Sequence, residues 1–359
     1  MSNTTNSIPE VNHDNFPVHK DSLLPIDHIS KFMGLAVAQL YLFCAFITAY
    51  EVISRYLFNS PTQWVFETVM VLCASAWMLS AGYITLHKRH IGITVIYVLV
   101  DKAKQWKLDT FAYIIGIISL WLFVDDTLVR AIESVAMVER GGTAWNSPQP
   151  LILKTMLVTG AFIYLVQLLV NIYRHFGSKI IKNLITLLSC IIILRLVLVF
   201  IEHAFGTGGM ASSINSYFSL IGGYLEPNQY WDIRGISIGS ASMLIVGLMI
   251  LLMMTGMPLG IVTMFVSILT ALMFFGYNGM YLVSTNAFGL LEKYPLVAVP
   301  LFVLMASILE KAGVAEDLFD AMQIFAGKLR GGVAIQTIVV AVVLAAMSGV
   351  MGGEIVMLG

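Results

Sequence analysis

The stretch that decides the fold is Lys328–Gly359, KLRGGVAIQTIVVAVVLAAMSGVMGGEIVMLG. A basic, Gly-rich turn leads into an apolar run from Val333 to Met347. The run breaks at Ser348-Gly349-Val350-Met351-Gly352-Gly353 and turns apolar again around Glu354. At about 1.5 Å per residue the run is roughly 22 Å long, short of a hydrocarbon core of roughly 30 Å. A short helix that stops in a Gly/Ser break and resumes fits one arm of a re-entrant hairpin. Unpaired backbone at membrane depth is tolerated only where it lines a cavity or lies inside protein, and in transporters such breaks form midplane binding sites. A membrane helix ended by a glycine cap fits the same pattern, and both readings stay open on the pattern alone.

The rest of the chain sets the class. Hydrophobic residues make up 58% of the 359 residues and charged residues 11%, with mean hydropathy +0.86 and net charge −1. Soluble domains carry about 25% charged residues. The chain therefore reads as an all-α polytopic membrane protein whose partner is the lipid bilayer, and no nucleic acid is expected to bind. Cys44, Cys73 and Cys190 fall inside apolar segments and read as packing residues, not as a disulfide framework or metal site. Residues 1–30 are polar, with no basic n-region, short apolar core or cleavage site, and are expected to form a disordered cytoplasmic tail rather than a signal peptide.

Apolar segments place the spans. They run over 32–58, 65–86, 108–129, 151–173 and 180–201, with a polar Gly-rich loop over 202–235. Spans over 236–254 and 259–275 are separated only by Thr255-Gly256-Met257-Pro258, a tight turn. An amphipathic stretch over 280–291, a short span over 295–309 and a polar helix over 314–329 lead into the terminal hairpin. Lys88, Arg89, Lys102, Lys104 and Lys107, then Arg174, Lys179 and Lys182, then Lys311, Lys328 and Arg330 all fall on one side by span count. The excess of positive charge in cytoplasmic loops puts that side, and the N-terminus, inside. The terminal hairpin then enters from the cytoplasm.

Few residues are candidates for chemistry. Glu51 and Arg55 share a helix face in the first span, and Glu67 sits one turn into the second. An Arg55–Glu67 or Arg55–Glu51 ion pair pinning the two spans is expected over a transport role. Arg195 lies deep in the fifth span with Glu202 seven residues on, either as a polar seam against another helix or snorkelling to an interface. Asp125 and Asp126 are a carboxylate pair near a helix end, where solvation is the expected state. His87-Lys88-Arg89-His90 reads as a cluster that sets topology. GxGxxG, P-loop, HExxH and Cys/His metal spacings are all absent, so no enzyme and no catalytic residue is expected. In the terminal break, glycines expose backbone carbonyls and amides. A helix N-terminus there attracts a carboxylate, and carbonyls with Ser348 Oγ suit Na⁺. Glu354 is either a first-turn acid or a cation partner. Gly349 and Gly353 also form a GxxxG packing pair.

Two halves of the chain resemble a known family. Glu51-Val-Ile-Ser-Arg55-Tyr56-Leu-Phe58-Asn59-Ser60-Pro61 followed by Trp64 and Glu67, the His87–Ile91 turn, and Gly141-Gly-Thr143 with Pro148-Gln-Pro150 resemble the small (Q-type) membrane subunit of the tripartite ATP-independent periplasmic, or TRAP, transporters. Gly256-Met-Pro258-Leu-Gly260, Pro295-Leu-Val-Ala-Val-Pro300-Leu-Phe302, Glu310-Lys-Ala-Gly313, Leu329-Arg-Gly-Gly332 and Met347-Ser-Gly349 resemble the start of the large (M-type) subunit. The order is similar to the fused form of the two.

The resemblance implies a four-helix Q-like bundle over 31–176, a connecting transmembrane helix and outer loop over 177–235, and the first part of an M-like elevator-type transport domain over 236–359. It implies a permease of the bacterial inner membrane that takes up a C4-dicarboxylate or other organic acid from a periplasmic substrate-binding protein. Cofactors are not expected, and Na⁺ is the coupling ion the resemblance implies. Carried over position by position, Ser348 and Gly349 match the family's Ser-Gly hairpin tip. Gly352, Gly353 and Glu354 complete the candidate substrate and Na⁺ site, with no metal beyond Na⁺ at Ser348. Val350 stands where a second small polar residue is common and Glu354 where Asp is common. A large subunit has a second hairpin, so the chain is expected to need the missing remainder of the large subunit as a partner. The alternative is a non-transporting scaffold that docks a separate large subunit.

Overall fold

The computed structural model describes residues 24–205, 235, 237–326 and 332–348. The expected outer loop lies largely outside them. Five long helices come first: α1 (Pro25–Tyr56), α2 (Val65–Leu86), α4 (Lys102–Met137), α5 (Gln149–His175) and α6 (Lys179–Phe205), with the short α3 (Val95–Leu99) between α2 and α4. All five are long and apolar enough to cross a membrane. Shorter helices follow: α7 (Ile238–Met254), α8 (Leu259–Phe275), α9 (Met280–Leu291), α10 (Val299–Lys311), α11 (Val314–Ala326) and α12 (Gly332–Ser348). Among the described residues there is no strand, only one bridge between Gly92 and Pro258. The chain is an all-α polytopic membrane protein.

Local chemistry explains the boundaries. Pro25 sits at the first helical position of α1, where its fixed φ suits the turn. The Leu24 N–H donates to Asp27 Oδ2 at 2.9 Å, so the acid caps the helix start. Helix therefore begins six residues inside the stretch expected to be tail, and residues 25–30 are part of the bundle. α4 runs over 36 residues, well past the expected 108–129. At about 1.5 Å per residue it is roughly 54 Å long, longer than a hydrocarbon core of roughly 30 Å. Its added turns are held by polar pairs that the hydropathy profile does not register.

The bundle is built on α1, α2, α4 and α5, with α2 and α4 each packed along α5 and α1 packed along α2. Gly160 on α5 lets the helices close in: a Cβ there would lie 2.5 Å from the Met78 carbonyl oxygen of α2. α6 lies outside this core against α4 and α5. Cys44 and Cys73 are buried together between α1 and α2. Cys190, expected to pack, is exposed on α6 because that helix turns most of its surface away from the bundle.

The second half wraps this bundle. α8 packs on α4 and α7, and α9 crosses α4 and α5. The 3-10 turn Tyr294–Ala298 reaches α2, where the Tyr294 and Phe66 rings lie 4.8 Å apart, and α10 runs down α1. The expected eighth span is one arm of a bent pair: Tyr277–Leu291 and Tyr294–Leu309 meet at 41°. At the other end, the Thr255–Pro258 turn docks on the first half. Leu259 N–H donates to Ile91 O at 2.8 Å. Gly256 has φ +84, and a Cβ there would touch the Tyr97 ring at 3.0 Å, so glycine is required for both backbone angle and space.

Candidate functional site

α12 is the described part of the terminal hairpin. Its described part has 17 residues, roughly 26 Å at about 1.5 Å per residue, and reaches Ser348. It packs along α11 and against α10. Gln336 and Val340, four residues apart on one face, are buried. The helix C-terminus carries a partial negative charge that favours a cation. Of the expected site residues, Ser348 is the last described helical position, and Gly349, Gly352, Gly353 and Glu354 lie outside the described residues.

The expected ion pairs fall out differently from one another. Arg55 Nη2 donates to Glu51 Oε1 at 2.6 Å, and Glu51 Oε2 also accepts from the Thr62 hydroxyl and, at 3.2 Å, from the Thr62 N–H. Glu67 does not meet Arg55. It is buried in α2 and accepts from the hydroxyls of Thr143 and Ser147, so it pins the 138–148 loop. Arg195 meets Asp125 of α4 at 3.4 Å, which makes it a seam between α6 and α4.

Asp125 and Asp126 are only partly solvated, although they lie toward a helix end. α6 and the second half of the chain cover them. Asp125 Oδ2 also accepts from the Tyr277 hydroxyl at 3.4 Å. Asp126 accepts from Arg130 Nε at 3.1 Å and from Ser284 Oγ at 2.6 Å, while Arg130 Nε also donates to Ser284 Oγ at 2.8 Å. The Arg130 guanidinium lies 4.1 Å over the Tyr281 ring. Nearby, Lys154 Nζ donates to Glu139 Oε2 at 2.5 Å. Burial opposes the Glu139 carboxylate, but the hydrogen bonds from Lys154 and Ser134 outweigh it and hold its pKa below the ordinary value. A cavity of about 380 Å³ opens among these groups, and one of about 240 Å³ adjoins it beside Asp125, Tyr277 and His203.

At the opposite end a second polar network centres on the buried Asp27 and Gln167. Arg174 donates both amino groups to Asp27, which has no exposed surface. Gln167 donates to Asp27 Oδ1 at 3.1 Å and to Asn171 Oδ1 at 3.3 Å, and accepts from Ser30 Oγ at 2.8 Å. Asn171 donates to Thr85 O at 3.1 Å. The signal for this network stands in the sequence: Gln167, Asn171 and Arg174 recur at helical spacing in an apolar span. Beside it, the His87–His90 cluster is only partly a solvated charge group. Thr85 Oγ1 donates to Ala81 O at 2.6 Å, so His90 Nε2–H donates to Thr85 Oγ1 at 2.8 Å. The His90 ring stacks on Tyr164 at 5.1 Å, and burial pushes its pKa down to about 4. Its neighbour Lys88, with Tyr97, Asp109 and Gly256, lines a cavity of about 280 Å³.

Comparisons with known proteins fall on the same two halves. The family model of the tripartite ATP-independent periplasmic transporters, DctQ component, matches residues 44–178. That of the DctM component of the same transporters matches residues 246–359. The chain is 29% identical over 119 residues to a C4-dicarboxylate TRAP transporter large permease protein DctM of Rhodobacter capsulatus. The alignment covers 33% of this chain and 27% of that relative, so the chain spans about a quarter of the curated protein it matches. The join between the two matched segments, at α6 and the chain after it, is also where the described architecture passes from the bundle to the helices that wrap it. The chain belongs to the tripartite ATP-independent periplasmic transporters, a family of transporters and not of enzymes, and carries a DctQ-type segment followed by a DctM-type segment in one polypeptide.

Proposed function

We propose that this protein is a membrane permease component that takes up an organic acid, of the C4-dicarboxylate class or a related carboxylate, from a periplasmic substrate-binding protein. Uptake is coupled to Na⁺ entry. The observation that carries this reading is α12: an apolar helix inside the DctM-matched segment whose described part is 17 residues and reaches Ser348, where the sequence turns Gly-rich. Its C-terminal carbonyls and the Ser-Gly tip suit Na⁺, and the amides after the break suit a carboxylate. The wrapped bundle of α1–α10 is the fixed scaffold, and α11 and α12 begin the moving part. The large relative's name supplies the substrate class, and the DctQ–DctM order supplies the binding-protein partner.

The experiment is uptake of radiolabelled C4-dicarboxylates by proteoliposomes carrying the full-length gene product, with the periplasmic binding protein outside. Uptake that needs both the binding protein and an inward Na⁺ gradient is expected, and Ser348→Ala is expected to raise the Na⁺ concentration required. Uptake indifferent to Na⁺ removes the coupling ion. Absence of uptake for every carboxylate tried removes the reading. The proposed orientation, with the N-terminus and the 87–107 segment in the cytoplasm, predicts an active alkaline phosphatase fused after Gly142 and an inactive one after Lys104.

A further inference from the structure

The basic end of the bundle carries a surface that the transport reading does not use. Lys88, Arg89, Lys102, Lys104 and Lys107 are all exposed. Among the described residues, none of them enters a salt bridge. Arg89 of this group is felt nearby: burial lowers the His87 pKa, and Arg89, with Lys31, lowers it further. Of the acids close by, Asp109 is engaged by the Tyr97 hydroxyl at 3.2 Å and Asp27 by Arg174, which leaves Asp101.

Between these two groups of cations, the chain presents apolar side chains outward. Ile91 is 71% exposed, Val98 70% and Leu99 81%, with Val95 beside them also exposed. Tyr97 points the other way, its ring against Gly256. The 88–107 segment is thus two-faced. One face carries aliphatic groups bracketed by unpaired cations. The other face holds the 256–259 turn through the Leu259–Ile91 hydrogen bond and the Gly92–Pro258 bridge.

We propose that this segment is a docking surface for anionic phospholipid, which it selects over zwitterionic lipid of the same leaflet. The aliphatic side chains enter the acyl boundary and the bracketing lysines meet the phosphates. Because its inner face holds the turn between α7 and α8, seating the segment in anionic headgroups also steadies the joint between the two halves of the chain. The proposal stands whether or not the protein transports a carboxylate.

Trp106 lies between Lys104 and Lys107, is partly exposed, and stacks on His175 at 5.1 Å, so it reports on this surface. The experiment reconstitutes the full-length protein in phosphatidylcholine bilayers containing brominated phosphatidylglycerol or brominated phosphatidylcholine. Quenching is read as the difference between the native protein and Trp106→Phe. Brominated phosphatidylglycerol is expected to quench Trp106 preferentially, and the preference is expected to shrink as salt is raised. Each cation removed weakens the preference by up to about fivefold, so the triple change Lys102→Gln, Lys104→Gln and Lys107→Gln is expected to cut it severalfold or more, leaving only what Lys88 and Arg89 supply. Equal quenching by the two lipids in the native protein would overturn the proposal. So would a preference left unchanged by the triple change or by high salt, or one abolished by soluble glycerol phosphate, which would mean a soluble-anion site. The salt series on the native protein needs no variant to fold.

Discussion

Ser284 Oγ donates to Asp126 Oδ2 at 2.6 Å, joining two residues 158 positions apart in the chain. Ser284 is 2% exposed and takes a second hydrogen bond from Arg130 Nε at 2.8 Å. One hydroxyl therefore completes an ion pair of α4 from α9 and fastens the wrapping helices to the bundle. Removing it leaves a half-buried carboxylate and guanidinium short of one partner each, though still paired with one another. Ser284→Ala is expected to cost about 1–3 kcal/mol, read as a lower unfolding midpoint in detergent. Ser284→Thr keeps the hydroxyl and is expected to cost less. An unchanged midpoint for Ser284→Ala would show that the contact adds nothing to the attachment.

The Asp27–Arg174 pair gives a larger effect. Asp27 has no exposed surface, and Arg174 supplies its countercharge. Breaking the pair by Arg174→Ala strands a carboxylate in the bundle and is expected to cost roughly 3–5 kcal/mol. Replacing both, Asp27→Asn with Arg174→Gln, is expected to recover part of the loss. Thermal unfolding of the single and double variants checks this. A double variant no better than the single one would place the cost in packing and not in charge.

His90 makes stability depend on pH. Its folded pKa of about 4 lies below the ordinary 6.5, so the unfolded chain takes up the proton first. Stability from this group is complete above about pH 6.5 and is lost as pH falls toward 4. A shift of that size corresponds to on the order of 3 kcal/mol. His90→Gln is expected to flatten the unfolding midpoint between pH 7 and pH 4 relative to the native protein, and parallel curves for the two would refute the assignment.

Gly160 sets how closely α5 approaches α2. A Cβ there would meet the Met78 carbonyl oxygen at 2.5 Å, and backbone cannot give way as a side-chain tip can. Gly160→Ala normally gains helix propensity of about 1 kcal/mol. Here the helices must part, and overpacking of about 1–3 kcal/mol outweighs the gain. A net loss of stability is expected. A gain would mean that the two helices slide apart freely.

Hydropathy made much of the fold legible. The second span was expected over the residues that form α2, and the turn at Thr255–Pro258 fell between α7 and α8 as Pro and Gly require. Tail and helix ends were less legible. Asp27 and Ser30 read as polar tail, yet they are buried because Gln167 and Arg174 reach them from α5, 137 or more residues away. Asp125 and Asp126 read as solvated because a helix end usually is, and only α6 and α9 folding over α4 make them half-buried partners.

By itself, the sequence determined the class, the order of the two halves and the short apolar run before Ser348. Those properties depend on local composition and spacing, which a single chain displays. Tertiary structure alone decided which polar groups pair: Glu67 with Thr143 and Ser147 and not with Arg55, Arg195 with Asp125, and Ser284 with Asp126. In an apolar bundle most buried polar groups find a partner, but the choice of partner is set by which helix faces are brought together, and that information is spread across segments 70 to 158 residues apart.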